Sequence, residues 1–156
     1  MKLNDKGYLL ITKFEGFSAK PYLCSANVPT IGFGSTFYED GSKVTMLDKP
    51  IPKERALSMF KTIADKFAKD VSKLVVSNIN QNQFNALVSF AYNVGSDIDT
   101  DTIAEGLGDS TLLKKVNKNP NDLSIRNEFL KWNKAGGKII KGLTTRRNEE
   151  ANIYFS

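Results

Sequence analysis

The sequence predicts an α+β fold in which a small antiparallel sheet lobe is attached to a larger helical lobe. Glycines and β-favouring residues are concentrated between residues 17 and 46. From residue 50 onward the apolar residues instead recur every three to four positions, as on the buried face of a helix. Because 156 residues with 40% apolar content suffice for one domain with a real core, we expect a single domain over 1–156. Its sheet lobe would be 17–46 and its helical lobe 1–16 and 50–156, with a ligand cleft between them.

The first helix is predicted to begin with Asn4 or Asp5 as its N-cap and to end near Glu15, where Gly16 acts as the stop. In the segment that follows, the dipeptide Asp40-Gly41 is typical of a hairpin turn. We therefore expect two or three antiparallel strands between residues 17 and 46.

Capping residues mark the helices of the second lobe. A long helix is predicted from Pro52, because proline suits the first helical position. Its apolar stripe is typical of a core face rather than of a cofactor site. Asn80 followed by Gln83 forms a capping box for the next helix, which Gly95 ends.

The C-terminal third is predicted to contain a loop and three short helices. Residues 96–108 are rich in Asp and Gly and indicate a loop or short turns. The predicted helices begin with Ser110 as an N-cap, at Asn121, and at about Thr145, and the last runs to Tyr154. The pair Gly136-Gly137 is predicted to break the second of them.

Two residue counts exclude whole classes of chemistry. The chain has no His, which excludes Ser-His-Asp and Cys-His catalysis and His-ligated zinc. Its single Cys excludes an internal disulfide and every multi-cysteine metal site. An enzyme made from this chain must work with carboxylates, hydroxyls, Lys or Arg, or the thiol of Cys24.

The charge balance indicates a polyanionic partner, although weakly. With 22 Lys and Arg against 17 Asp and Glu, the net charge is +5 and the pI is about 9.2, which suits nucleic acid, anionic lipid or a bacterial wall. The basic residues are scattered and form no nucleic-acid-binding motif, so we expect no nucleic-acid partner.

No apolar run is long enough for a signal peptide or a membrane span. We therefore expect a cytoplasmic protein with no stable membrane association.

A group of chemically capable residues lies early in the chain. Glu15 is predicted at the C-terminal end of the first helix, where the helix dipole favours the protonated carboxyl that a general acid needs. Cys24 and Thr30 follow, and no Asp or Glu occurs between Glu15 and Glu39. Taken singly, each residue has an ordinary structural interpretation: a surface Glu, a buried Cys and a strand Thr.

Together these residues resemble the phage lysozyme family, also called endolysins or muramidases, in glycoside hydrolase family 24. That family carries Glu, eight residues, Asp or Cys, five residues and Thr, and this chain has Glu15, Cys24 and Thr30 at the same spacing. The resemblance covers almost the whole chain in order. Its further matching stretches are Phe14–Gly16, Thr30–Thr36, Gln83–Gly95, Ser110–Lys115, Trp132–Gly137 and Gly142–Arg147.

The resemblance implies a lysozyme-like fold, and hydrolysis of the β-1,4 bond between N-acetylmuramic acid and N-acetylglucosamine in peptidoglycan. Glu15 would be the general acid, and Cys24 with Thr30 would position or activate water. Cys24 stands where other members carry Asp, so it could act as a thiolate base, as a nucleophile or as a neutral orienting group. We favour inversion with water held by Cys24 and Thr30. No cofactor and no metal is expected.

The resemblance also implies residues that contact the sugar. Tyr92, Asn93 and Ser110 match family positions that face the glycan. Gly32 and Gly34 would let a glycan approach the backbone closely.

One supporting residue is expected near the end of the chain. In the family an Arg of this segment reaches the catalytic Glu, and we favour Arg146 over Arg147. Both are predicted in the first turn of the last helix, where the dipole disfavours cations. The structural alternative is a surface pair between Arg146 and Glu149. Trp132 is interpreted as a core anchor rather than a sugar platform.

Two other functions remain open. A lytic transglycosylase would cut the same bond with one Glu and no added water, and a wall-binding module would not cut it at all. By the resemblance, the partner is peptidoglycan and the protein is a monomer held in the host cytoplasm. A phage or prophage holin would then be needed for it to reach the wall.

Overall fold

The computed structural model describes all 156 residues and has six helices and two small antiparallel sheets. This composition confirms the predicted α+β class. In chain order the elements are α1 Asp5–Glu15, β1 Ser18–Leu23, β2 Pro29–Gly32, α2 Lys53–Leu74, α3 Gln81–Val94, α4 Thr111–Lys118, α5 Ile125–Leu130, β3 Lys134–Ala135, β4 Lys138–Ile139 and α6 Lys141–Tyr154. No helix combines the length and the apolar character that crossing a membrane requires.

The chain forms two compact units. The sheet unit comprises residues 11–66, and the helical unit comprises residues 1–10 and 67–156. The end of α1 and most of α2 thus group with the sheet, whereas the sequence places them in the helical lobe. The beginning of α2 is tied to β1 and β2, because a Cβ on Gly32 would lie 3.0 Å from the Ala56 Cβ and the Ile51 N–H donates to the Ala19 carbonyl at 2.9 Å.

The sheet unit contains one hairpin and an irregular extension. Strands β1 and β2 pair antiparallel, with Tyr22 opposite Thr30 and an irregularity in register between Ser18 and Tyr22. An isolated bridge between Phe37 and Lys43 closes the predicted turn at Asp40-Gly41. The β1–β2 pair and this bridge agree with the prediction of two or three antiparallel strands between residues 17 and 46.

Aromatic rings fill the core of the sheet unit. Phe33 packs against Phe17 at 5.4 Å and against Phe60 at 6.0 Å between ring centroids. Phe60 is fully buried, as is Ile31 of β2. Burying such side chains contributes about 1.5–3 kcal/mol each, so the hairpin is held on α2 by apolar contact.

Helix α3 forms the centre of the helical unit, and every residue from 83 to 91 is buried. The predicted capping box is confirmed, because the Asn80 side chain accepts from the Gln83 N–H and the Gln83 side chain accepts from the Asn80 N–H. Phe90 meets Phe129 and Trp132 edge to face at 5.6 and 5.5 Å. Trp132 is half-buried, and its ring packs on the buried Phe90, in the direction of the predicted anchor role.

Two predicted helix starts are wrong. Helix α5 begins at Ile125 rather than Asn121, since the Asn119 and Asp122 side chains accept the N–H groups of Asn121 and Ser124 and form turns instead. Helix α6 begins at Lys141, four residues before the predicted start at Thr145.

The early start of α6 runs against local propensity. Gly142 and the β-branched Thr144 and Thr145 are poor helix formers. In the structure the Thr145 hydroxyl donates to the Lys141 carbonyl at 3.1 Å, a bond that suits a threonine inside a helix. Arg146 consequently lies in the second turn of α6 rather than in the first.

The sequence predicts only a break around Gly136-Gly137. In the structure this segment is a tight hairpin, in which β3 and β4 pair Lys134 with Ile139. Both glycines have positive φ, 58° and 77°, which the turn requires and which glycine adopts without strain. Strands of two residues carry no detectable period-two pattern, so the sequence could not show them.

The predicted loop between α3 and α4 is confirmed and is held together at its base. One carboxylate oxygen of Asp97 accepts the backbone N–H groups of Glu105, Gly106 and Asp109 at 3.1, 3.2 and 3.2 Å. A Cβ on Gly108 would lie 1.8 Å from the Asp97 carbonyl oxygen. Residues 98–105, by contrast, are all exposed. The loop has a close-packed base and an open tip.

Candidate active site

Glu15 is the last residue of α1 and is half-buried. The helix stops there because Gly16 takes a positive φ of 66° while its N–H still bonds the Thr12 carbonyl at 3.2 Å. The chain turns directly into β1 at Ser18. The carboxylate is therefore fixed where a helix joins the sheet.

The turn after β2 lies against the Glu15 carboxylate. Ile31 and Ser35 exchange two backbone hydrogen bonds of 2.9 Å, and this turn sets Gly34 at a φ of 87°. A Cβ added to Gly34 would lie 3.0 Å from Glu15 Oε2. The structure thus brings two predicted site residues together, Gly34 and the Glu15 carboxylate.

Cys24 begins the turn of the β1–β2 hairpin. Its N–H donates to the Val28 carbonyl at 3.1 Å, and its carbonyl accepts from the Asn27 N–H at 2.9 Å. Asn27 supplies the left-handed residue that the turn needs, with φ at 59°. The hairpin therefore presents a half-buried thiol at its end.

Backbone N–H groups of the hairpin turn stabilise the thiolate of Cys24. Hydrogen bonds from Val28 and then Ala26 lower the pKa of this thiol from its ordinary value, and they outweigh the desolvation that would raise it. Thr30 also contacts the sulfur. The Thr30 hydroxyl has one proton and donates it to the Val28 carbonyl at 2.9 Å, so we assign the stabilisation to the backbone donors.

Three further predicted site residues lie in the helical unit. The hydroxyl of Ser110 is fully buried and forms the N-cap of α4, accepting from the Leu113 N–H at 3.0 Å and donating to the Leu107 carbonyl at 2.6 Å. Tyr92 is half-buried, with its ring 5.3 Å from that of Phe67. Asn93 is exposed, and its side-chain oxygen accepts a hydrogen bond from Arg147.

Arg146 is buried in α6, where it pairs with Glu150. Its Nε donates to Glu150 Oε1 at 3.1 Å, and its Nη2 donates to the Ser89 carbonyl at 3.1 Å. Arg147, also fully buried, bonds the other oxygen of Glu150 and the Trp132 carbonyl. The Ser89 hydroxyl donates to Glu150 Oε1 at 2.8 Å. Two guanidinium groups therefore share one buried carboxylate.

The sequence reasoning missed Glu150 as the partner of both arginines. The spacing of four residues between Arg146 and Glu150 is the signal that could have found it. Burial lowers the pKa of Arg147, and the charge of Glu150 opposes that shift. Since an Arg side chain stays charged in proteins, Glu150 is the counter-charge that makes this burial possible.

The fold and the sequence both match known lysozymes. The endolysin of Escherichia coli O157:H7 phage FAHEc1 superimposes with a TM-score of 0.85 at 35% identity, covering 99% of this chain and 93% of that one. The lysozyme-like fold is thereby confirmed. The family model described as phage lysozyme matches residues 12–150. The chain belongs to the phage lysozyme family.

Two relatives differ in how much of their length the chain covers. The endolysin of Salmonella phage P22 is 31% identical, with 100% of this chain and 99% of the relative aligned. The endolysin of Bacillus phage B103 is 37% identical over the whole chain, but only 55% of the relative is covered. The chain thus spans little more than half of that longer endolysin.

Replacing Gly34 with Ala should impair activity more than it impairs folding. The added Cβ meets Glu15 Oε2 at 3.0 Å, so the carboxylate must move by a few tenths of an ångström. Because misplacement by about 1 Å can cost on the order of 10²-fold in rate, we expect a loss of activity smaller than that. The positive φ adds about 1–2 kcal/mol of backbone strain. Wall-clearing rate and thermal unfolding measure the two effects separately.

Gly41→Ala is the matched control. Its φ of 84° is close to the 87° of Gly34, but nothing lies within 4 Å of an added Cβ. We expect a similar loss of stability and an unchanged clearing rate per folded molecule. Equal activity of the two variants would contradict a role for Gly34 beside the acid.

Proposed function

We propose that the protein is an endolysin that hydrolyses the β-1,4 bond between N-acetylmuramic acid and N-acetylglucosamine in peptidoglycan. The observation that carries this proposal is the arrangement of the sheet unit, which holds both predicted components of the site. The Glu15 carboxylate lies against the turn at Gly34, and the hairpin joins Cys24 to Thr30. Membership in the phage lysozyme family supports the same reaction.

Glu15 is the general acid of the proposed reaction. It donates its proton to the glycosidic oxygen as the bond from that oxygen to the sugar carbon breaks. Its half-buried position at the end of α1, with the turn at Gly34 against the carboxylate, suits this role.

Cys24 and Thr30 act on the attacking water. The lowered pKa of the Cys24 thiol supports a thiolate that accepts a proton from water as the oxygen bonds to the sugar carbon. Thr30, only 3% exposed, packs against the sulfur. Of the three roles open to Cys24, this geometry favours the thiolate base, and attack by water on the face opposite the leaving group gives inversion.

The remaining family-implied residues differ in their structural support. Tyr92 and Asn93 are accessible in the helical unit, as a sugar contact requires. The buried hydroxyl of Ser110 is engaged in its cap, and Gly32 packs on Ala56, so for both the structure supports a packing role. Support of Glu15 by Arg146 stays a prediction from the family resemblance; within its own unit, Arg146 bonds Glu150.

Analysis of the released muropeptides tests the reaction. Mass spectrometry of digested peptidoglycan should show fragments with free reducing ends. Fragments ending in a 1,6-anhydro sugar, lighter by one water, would instead identify a lytic transglycosylase. Binding to walls without any released fragment would identify a non-catalytic wall-binding module.

Cys24→Asp and Cys24→Ser should separate an ionisable role from an orienting one. Clearing by the wild-type protein should rise with pH as the thiol ionises, in a range below the ordinary one for cysteine because its pKa is lowered. Cys24→Asp should retain activity, with this rise moved to lower pH, since a carboxyl ionises near 4. Cys24→Ser should lose about 10²-fold or more. The test is the initial clearing rate of all three proteins, measured as a function of pH between 4 and 9.

Retained activity in Cys24→Ser would return Cys24 to a purely structural interpretation. Ser35→Ala provides a control, because its hydroxyl is buried in the same unit without a hydrogen-bond partner. We expect Ser35→Ala to keep the wild-type pH profile.

Peptidoglycan is the partner that this proposal requires. The monomeric state, the location before release and the need for a holin stay predictions from the family resemblance. The net charge of +5 is compatible with binding an anionic wall.

A further inference from the structure

We infer that Tyr22 is a further substrate-binding residue, whose phenol hydroxyl donates a hydrogen bond to the sugar between Glu15 and Cys24. This inference rests on the proposed function and adds to it a residue of strand β1. Its support comes from strand register, from the bonding of the chain's tyrosines and from the charges around this ring.

Strand register places Tyr22 on the face of the hairpin that carries Cys24 and Thr30. Tyr22 lies directly opposite Thr30 in the β1–β2 pair, and residues opposite each other project to the same side of a sheet. Cys24 follows two positions later, and its N–H bonds Val28 across the hairpin, so the pairing continues to that residue. Because side chains alternate along a strand, all three project to one side.

The hydroxyl of Tyr22 has no hydrogen-bond partner within the protein. The hydroxyl of Tyr38 donates to Asp48 Oδ2 at 2.8 Å, and that of Tyr154 donates to the Pro120 carbonyl at 2.8 Å. The ring of Tyr22 also has no aromatic neighbour, and the residue is 36% exposed. An amphipathic ring with an unused hydroxyl is suited to a polar ligand such as a sugar.

The surrounding charges keep this phenol protonated. Burial, then the charge of Glu15, then that of Cys24 raise the pKa of Tyr22 above its ordinary value. The other titratable residue of β1 is Lys20, and β2 has none. Tyr22 therefore stays a hydrogen-bond donor at any pH at which a wall is digested.

The position of the Tyr22 hydroxyl relative to Glu15 and Cys24 indicates which part of the substrate it would bind. In an inverting glycosidase the acid and the base act on opposite faces of one sugar ring. Tyr22 shares one face of the hairpin with Cys24, and the charge of Glu15 acts on its ring, yet its hydroxyl bonds to neither residue. A donor so placed faces the sugar that lies between them.

Affinity for a soluble saccharide tests the inference separately from catalysis. Glu15→Gln, which should bind without cutting, is compared with Glu15→Gln/Tyr22→Phe by calorimetry, using a tetrasaccharide of alternating N-acetylglucosamine and N-acetylmuramic acid. Loss of one hydrogen bond should weaken binding about threefold to tenfold. In the active background, Tyr22→Phe should show the same loss in kcat/KM.

Tyr38→Phe is the matched control, since it removes a tyrosine hydroxyl from the same unit at a site bonded to Asp48. Its affinity for the tetrasaccharide should be unchanged. Equal affinity with and without the Tyr22 hydroxyl would overturn this inference and leave the proposed function intact. A Glu15→Gln protein that binds no tetrasaccharide would overturn both, because the site itself would then be wrong.

Discussion

Glu15→Gln is expected to lower the rate of wall clearing by about 10²–10⁴-fold, the contribution that a positioned general acid makes. The amide keeps the shape of the side chain but has no proton acidic enough to give to the leaving oxygen. Glu15 lies at the end of α1 beside Gly34, so the fold should be unaffected. Turbidity of a peptidoglycan suspension measures the rate, and thermal unfolding checks the fold.

Glu39→Gln is the control for this variant. Glu39 belongs to the same unit but is exposed and pairs with Arg55 at 3.3 Å, an interaction worth less than about 1 kcal/mol at a surface. Its removal should leave clearing unchanged. If Glu15→Gln cleared walls as fast as Glu39→Gln, Glu15 would not be the acid and the proposed mechanism would be wrong.

Glu150→Gln is expected to cause the largest loss of stability among single substitutions of charged residues. It removes the carboxylate that the buried Arg146 and Arg147 of α6 both bond. Breaking a buried ion pair in this way costs about 3–5 kcal/mol. For a chain of this size each kcal/mol of lost stability lowers the midpoint of thermal unfolding by about 2–4 °C. Calorimetry measures the total shift of this midpoint.

Glu54→Gln is the control for this variant, because Glu54 is exposed in the first turn of α2. It should change the midpoint of thermal unfolding by less than about 2 °C, since surface substitutions change stability by no more than about 0.5 kcal/mol. If Glu150→Gln unfolded at the same temperature as Glu54→Gln, the buried arginines would not depend on this carboxylate. The comparison also isolates burial as the cause, since both variants lose one negative charge.

Features with local causes could be predicted from the sequence. The end of α1 at Glu15 depends on Gly16, and the start of α3 depends on Asn80 and Gln83, all within four residues of the boundary they set. The spacing of Glu15, Cys24 and Thr30 likewise lies within one hairpin and one helix end. Such signals need no knowledge of the rest of the chain.

Features set by distant contacts could not be predicted. The function assigned to Tyr22 depends on its register with Thr30, and the irregularity after Ser18 shifts the alternation that the sequence alone would predict. Helix α6 likewise extends through Gly142 against local propensity, in a unit where Arg146 is anchored to the Ser89 carbonyl of α3.

The loop between α3 and α4 separates its fixed base from its free tip. Asp97 ties the two ends of the loop together through three backbone N–H groups, while residues 98–105 remain exposed. The two ends of the loop are therefore held together independently of the tip. Each doubling of the length of such a loop costs only about 0.6 kcal/mol. This tip is a suitable place to graft an epitope, a fluorophore or a cell-targeting peptide onto the protein.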